Sequence, residues 1–257
     1  PVPPGRRWRE AGPDEGRVRK VQNARRAGNE IITETTIIVT VNDRSIVTTP
    51  EHLEADRKRL QVLSPQLSID YRDFPIVWRD GTAAVLLHEA AGHPAEHRKT
   101  AVNWPAWLSV RDEPHFETDD SGRRTRPVDL LRGEKPSAMR RATFTDVPLP
   151  RLSNVVVRHT AAPFGMPERR IQVQLIGGGN YDPLTDLVRI HVTAADFVEG
   201  DRSRPLEPFV IEESRASVAA AMRGAGGDLQ RYPGVVCSSE GQEIVVGSHA
   251  PILLTRF

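Results

Sequence analysis

Cysteine is almost missing from this chain: Cys237 is the only one in 257 residues. A single cysteine excludes an internal disulfide, so nothing points to an oxidising compartment, and a cytoplasmic protein is expected. Three roles remain open to Cys237: small buried hydrophobe, nucleophile or metal ligand. Long apolar runs are missing too. No stretch approaches the about 18 residues that a membrane-spanning helix requires, and the N-terminus, Pro1-Val-Pro-Pro-Gly-Arg-Arg-Trp8, has no apolar signal core. Nor is there an excess of one charge: 35 Lys and Arg against 34 Asp and Glu leave +1. With aromatics at 5% and no aromatic-basic stripe, neither a membrane nor direct nucleic-acid binding is expected. The first residue is not Met, which suits a processed or truncated piece of something longer.

What is present fits a folded protein, with 38% hydrophobic and 27% charged residues. The length allows one large domain or two small ones. Residues 1–28 read as an extended arm with one basic helix near Glu15–Arg26. Residues 30–49 are dense in β-branched side chains around Asn42-Asp43 and predict a hairpin. A short helix is expected over residues 50–63 and a strand over Phe74–Trp78, broken at Gly81. Thr82 can then cap a helix, Ala83–His93, that is apolar nearly all round and therefore buried, with Pro94 ending or kinking it. Asp112–Arg126 is heavily charged without an aliphatic residue and predicts a surface loop, possible cover for a site. Beyond Pro150 the pattern is strand-rich: Asn154–Arg158, Ile171–Ile176 and Leu187–Thr193, then an amphipathic helix over Ile211–Arg223, then short strands at Val235–Cys237, Glu243–Val246 and Ile252–Leu254. The expected fold is α+β: a β-rich domain with a buried helix.

That helix carries His88-Glu89-Ala90-Ala91-Gly92-His93. Two histidines around a glutamate are a recurring metallopeptidase arrangement, the imidazoles holding zinc and the carboxylate deprotonating a metal-bound water. The familiar spacing is four, on one helix face. Here it is five, which on an α-helix leaves the two rings about 140° apart. Both can reach one ion only through a π-like turn or a break at Gly92. The competing reading is a satisfied polar network in a core helix. Against it stands Glu89, since a carboxylate on an apolar helix is expensive to bury without a partner. A catalytic zinc needs a third ligand. Glu96, His97, His115, His159, His191, His249 and Cys237 are candidates, and spacing does not choose among them. Gly177-Gly-Gly179 and the polar strand face of His191 are candidates for peptide binding, with Gly178 and Gly179 allowing a backbone to approach. An ordinary turn and a solvent-facing histidine are the alternatives.

Three blocks then carry a family resemblance: Leu87-His-Glu-Ala-Ala-Gly-His-Pro-Ala-Glu96, Pro148-Leu-Pro-Arg-Leu-Ser-Asn154, and Cys237-Ser-Ser-Glu-Gly-Gln-Glu-Ile-Val-Val-Gly247 followed by Ala250-Pro-Ile-Leu-Leu254. In this order they resemble the TldD/PmbA, or modulator-of-gyrase, family of metallopeptidases. The resemblance implies zinc bound by His88, His93 and Cys237, with Glu89 as catalytic base. It also implies hydrolysis of short or unfolded peptides, and a homodimer or a heterodimer with a related subunit. It divides the chain into an N-terminal segment, 1–75, and a catalytic domain, 76–257. Family proteins are longer, with an N-terminal α/β domain that is reduced or missing here. The alternative to an enzyme is a non-catalytic, zinc-binding or vestigial subunit that binds peptide or a partner.

Overall fold

Strand-forming sequence dominates the architecture. The computed structural model describes residues 8–9, 17–27, 30–41, 44–61, 67–99, 102–160 and 162–257. Strands β1 (Trp8–Arg9), β2 (Arg17–Ala27), β3 (Glu30–Val41) and β4 (Arg44–Thr48) form an antiparallel sheet in chain order. The hairpin expected over residues 30–49 is β3–β4. The basic helix expected near Glu15–Arg26 is instead β2, paired with β3 along its whole length. The β-branched run of β3 offers a long ladder edge, and pairing with it stabilises a stretch whose lone helix would be marginal. Alternation does the rest: Val21 is buried while Lys20 and Gln22 are exposed. Helix α1 (Leu53–Gln61) follows, as expected, and closes a small core in which Leu60 packs with Val39, Ile46 and Leu175.

The second sheet is built from later chain. Its strands are β5 (Ile76–Trp78), β6 (Leu108–Asp112) and β7 (Val128–Asp129), then, past a separate pair β8 (Met139–Arg140) and β9 (Leu149–Pro150), β10 (Asn154–His159), β11 (Arg169–Asp182), β12 (Leu187–Glu199), β13 (Arg202–Pro205), β14 (Phe209–Ser214), β15 (Met222–Ser239) and β16 (Gln242–Thr255). The order is β13-β12-β11-β5-β16-β10-β6-β7, with β14 paired to β12 and β15 to β16. Pairs β10–β16 and β11–β5 are parallel and the others antiparallel. The fold is α+β and strand-rich, with the histidine-bearing helix buried against β16, β10 and β11.

Several expectations change here. The helix expected over Ile211–Arg223 is only α4 (Arg215–Ala221). Ile211, Glu212, Glu213 and Ser214 extend instead to pair with β12, and the helix starts where the Ser214 side chain accepts the Ser217 N–H at 3.1 Å. The three short strands at the C-terminus are parts of one long hairpin, β15–β16, whose two-residue turn at Glu240-Gly241 takes positive φ at both positions. Asp112–Arg126 is mostly loop, but Asp112 itself ends β6 and is fully buried. Among the described residues no helix is long and apolar enough to cross a membrane.

Candidate metal centre

The helix that carries the motif changes its winding at the histidines. Ala83–Leu87 (α2) is α-helical, His88–Gly92 is a π-helical turn, and His93–Glu96 (α3) resumes α geometry. The His93 N–H donates to the His88 carbonyl, an i→i+5 bond. The wider turn removes the angular mismatch of five-residue spacing: the two rings lie edge-to-face with centroids 4.7 Å apart. Gly92 makes the turn fit. A Cβ there would lie 2.5 Å from Leu152 Cδ1, in a fully buried part of the core. Pro94 does not end the helix, because it falls in the first turn of α3, where a missing N–H costs little. Thr82 does not cap α2: its hydroxyl donates back to the Arg79 carbonyl at 2.7 Å.

Cys237 arrives from β15, where alternation turns Val235 and Cys237 inward and leaves Ser238 exposed. Ligand atoms of His88, His93 and Cys237 all lie within 4.8 Å of one another, the one such group of three among the described residues able to hold a metal ion. Cys237 Sγ is 3.6 Å from His93 Nε2, and Glu89 Oε2 is 3.6 Å from the same nitrogen. His88 is fully buried, yet neither ring nitrogen has a hydrogen-bond partner, and Glu89 Oε2 also lacks one. Buried polar atoms without partners are costly, and here one His88 ring nitrogen lies in the group it forms with His93 and Cys237. Two imidazoles and a thiol, with a carboxylate beside them, suit zinc-type ligation and leave room for a further ligand. The residues therefore fit a bound metal.

The charges lean the same way. Burial pushes the Cys237 thiol up, but the neighbouring imidazoles of His88 and His93 overcome it and hold the thiol well below its usual range. Burial pulls His93 down, and Glu89, Cys237 and Glu96 together hold it well above. Burial raises Glu89 despite the opposing pull of His93 and His88.

The surrounding segment fixes these atoms. Glu96 Oε2 meets His93 Nδ1 at 2.6 Å, which leaves Nε2 to face the cluster, and Glu96 Oε1 accepts the Leu152 N–H at 3.1 Å. Glu96, a candidate ligand by sequence, is thus a support for His93. Arg151 Nη2 donates to both the carbonyl oxygen and the Sγ of Cys237, at 2.8 and 3.0 Å. The Pro148–Asn154 segment is itself held by Arg140, which donates to the Leu152 and Val245 carbonyls, and by Asp112, which accepts the Ser153 and Asn154 N–H groups. Gln242 spans the Ala142 N–H and the Val147 carbonyl.

A cleft of about 190 Å³ opens over the cluster. Glu89, His93 and Cys237 form its floor, with Gly179–Tyr181 of β11 on one wall and Val235–Ser239 of β15 on the other. A Cβ at Gly179 would lie 2.7 Å from Glu89 Cγ, so that wall is backbone by necessity. Gly178 has open space around it and φ of +151°. His97 lines the cleft. His191 is exposed and lines a different groove with Arg44, Ser45 and Phe209. His249 bonds Asn154 at 3.0 Å, and neither it nor His115 or His159 joins the metal group. Arg151 is the site residue that the histidine motif itself does not reveal. Its signal was the Pro-Arg-Leu-Ser-Asn block, which carries no ligand of its own.

No protein-family model matches the chain, and no curated protein matches it in sequence. Solved structures do. TldE from Thermococcus kodakarensis superposes with a TM-score of 0.53 at 11% identity, over 93% of this chain and 62% of that one. A proposed modulator of DNA gyrase (BT3649) from Bacteroides thetaiotaomicron gives a TM-score of 0.45 at 12% identity, over 94% of this chain and 60% of that one. The chain thus spans less than two thirds of the length of either. At such identities the likeness speaks for the fold, and the resemblance to the TldD/PmbA family read from three sequence blocks holds at that level: this chain has the fold of TldE.

Proposed function

We propose that this protein is a zinc-dependent peptidase acting on short or unfolded peptides, with His88, His93 and Cys237 as ligands and Glu89 as general base. The observation that carries the proposal is the buried grouping of one ligand atom each from His88, His93 and Cys237 within 4.8 Å, with no hydrogen bond on the His88 ring and none on the Glu89 Oε2 beside it. Zinc bound there would supply Lewis acidity toward a peptide carbonyl and acidify a water. Glu89 takes the proton of the attacking water at Oε2 and passes it to the leaving amine. Its buried position raises its pKa, which brings the base nearer to working pH. Gly178 and Gly179 admit a peptide backbone beside β11, with the Val235–Ser239 edge opposite.

Residues 76–257 are taken as the catalytic domain, since the whole large sheet and all three ligand candidates fall within them. A homodimer or a heterodimer with a related subunit, and a cytoplasmic site of action, complete the reading by family resemblance. A closed structural zinc site is less well supported, because Glu96 is turned onto His93 Nδ1 instead of the centre.

Elemental analysis of purified wild type beside Cys237→Ser tests the proposal. About one zinc per chain is expected, lost or much weakened in the variant. A well-folded wild type that takes up no zinc under reducing conditions would point to a vestigial subunit that binds without cutting.

A further inference from the structure

Arg151 is a buried charge that the proposed chemistry does not use. It is 2% exposed, a guanidinium buried beside the metal group. One nitrogen, Nη2, reaches both the backbone oxygen and the sulfur of Cys237. Nε stands 4.0 Å from Glu96 Oε1, and Nε and Nη1 have no hydrogen-bond partner among the described residues. A buried cation needs nearby negative charge. The groups at hand are the Cys237 sulfur and the Glu96 carboxylate that orients His93.

We infer that Arg151 is a positioning residue that tunes the metal through its ligands. This rests on the proposal that Cys237 ligates the metal. The Nη2–H bond to Sγ draws electron density from the thiolate and fixes the direction of its lone pairs. A thiolate donates more charge than a carboxylate and so weakens a metal as a Lewis acid. A hydrogen bond to the sulfur moderates that donation, as hydrogen bonding around cysteine sulfur does at other metal sites. The same guanidinium faces Glu96, so one residue attends to the outer contacts of two of the three ligands. Adjacent Leu152 completes the arrangement: its N–H holds Glu96, and its side chain lies where any group larger than hydrogen at position 92 would strike it. The segment therefore acts as a single brace on the sulfur, on the second histidine and on the π turn.

The test uses cobalt(II)-loaded full-length protein, with Arg151→Met removing both charge and N–H, and Arg151→Gln keeping a neutral N–H. Two quantities are read: the energy of the sulfur-to-cobalt charge-transfer band, and cobalt affinity by competition with a chelator. Met should move the band to lower energy, since an unbonded thiolate is the better donor, and should weaken affinity by about 10–100-fold. Gln should lie between Met and wild type. A packing-only role would leave the band energy of folded variants unchanged, and that result overturns the inference. If Arg151→Met does not fold, Arg151→Gln decides alone: a wild-type band energy and affinity overturns it. Absence of any charge-transfer band in cobalt-loaded wild type is a different failure, since it removes Cys237 from the ligands and with it the reading on which this inference stands.

Discussion

Glu89 and Asp112 are both carboxylates withdrawn from water, at 2% and 0% exposure, and their surroundings make them different kinds of group. Asp112 closes the end of β6. Its Oδ1 accepts the Ser153 and Asn154 N–H groups, each at 2.8 Å; burial raises its pKa, and these donors and Arg140 offset only part of that rise. Glu89 Oε2 has no hydrogen-bond partner and faces a cleft. Burial alone therefore does not mark a functional acid. Each keeps one oxygen without a hydrogen bond, Asp112 Oδ2 and Glu89 Oε2; what separates them is the setting, since Asp112 Oδ1 ties loop backbone to a strand while Glu89 lies beside two imidazoles and a thiol and lines a cleft.

That contrast is broken most severely at Glu89. Replacing it with Gln keeps shape and removes basicity, so peptide hydrolysis should fall by about 10²–10⁴-fold while zinc content stays at the wild-type level. The pair of measurements is turnover on a short peptide and metal per chain. Normal turnover in the variant would assign the base elsewhere.

The second test reaches Glu89 without altering it. A methyl group at position 179 would press on Glu89 Cγ at 2.7 Å and on Ile190 Cδ1 at 3.0 Å. Gly179→Ala should therefore displace the carboxylate and cost roughly 10²-fold in turnover, the penalty of about an ångström of misplacement. The melting temperature should change little, because the cleft can take up the displaced side chain. Full activity in this variant would mean that Glu89 tolerates relocation, which a positioned base does not.

Much of this site was legible from residues 87–96. The five-residue spacing demanded a departure from α geometry, and the π turn at His88–Gly92 supplies it. Cys237 was legible only by family resemblance, because a strand 144 residues beyond His93 brings it in. Spacing holds no information about such contacts. In the fold, the hairpin of β3 and β4 and the buried helix followed from pattern. Residues 17–27 did not: a basic, weakly periodic stretch takes the conformation of its partner, and β3 decided it. Ile211, Glu212, Glu213 and Ser214 were drawn into a strand in the same way by β12. Asp112 misled in the opposite sense, since its charged neighbours marked a surface loop while its own carboxylate serves buried backbone.

Asp112→Asn probes that buried role, with the smallest expected effect. Burial raises the Asp112 pKa from an ordinary 3.8 to about 6, against the pull of the Asn154 and Ser153 N–H groups and Arg140. As pH rises through 4, the unfolded chain gives up this proton while the folded chain keeps it. Stability must then fall between about pH 4 and pH 6, with the whole loss present above pH 6 and none below pH 4. A gap of that size corresponds to roughly 3 kcal/mol as an order of magnitude. Asn retains an oxygen for the two N–H donors and does not titrate, so this part of the decline should vanish. Urea midpoints of wild type and variant, both stripped of metal by a chelator, should diverge across pH 4–6. Glu89 titrates in both proteins and cancels in the difference. Parallel curves would mean that the Ser153 and Asn154 N–H groups and Arg140 offset burial completely, so that the Asp112 carboxyl ionises in the folded protein as it does in water.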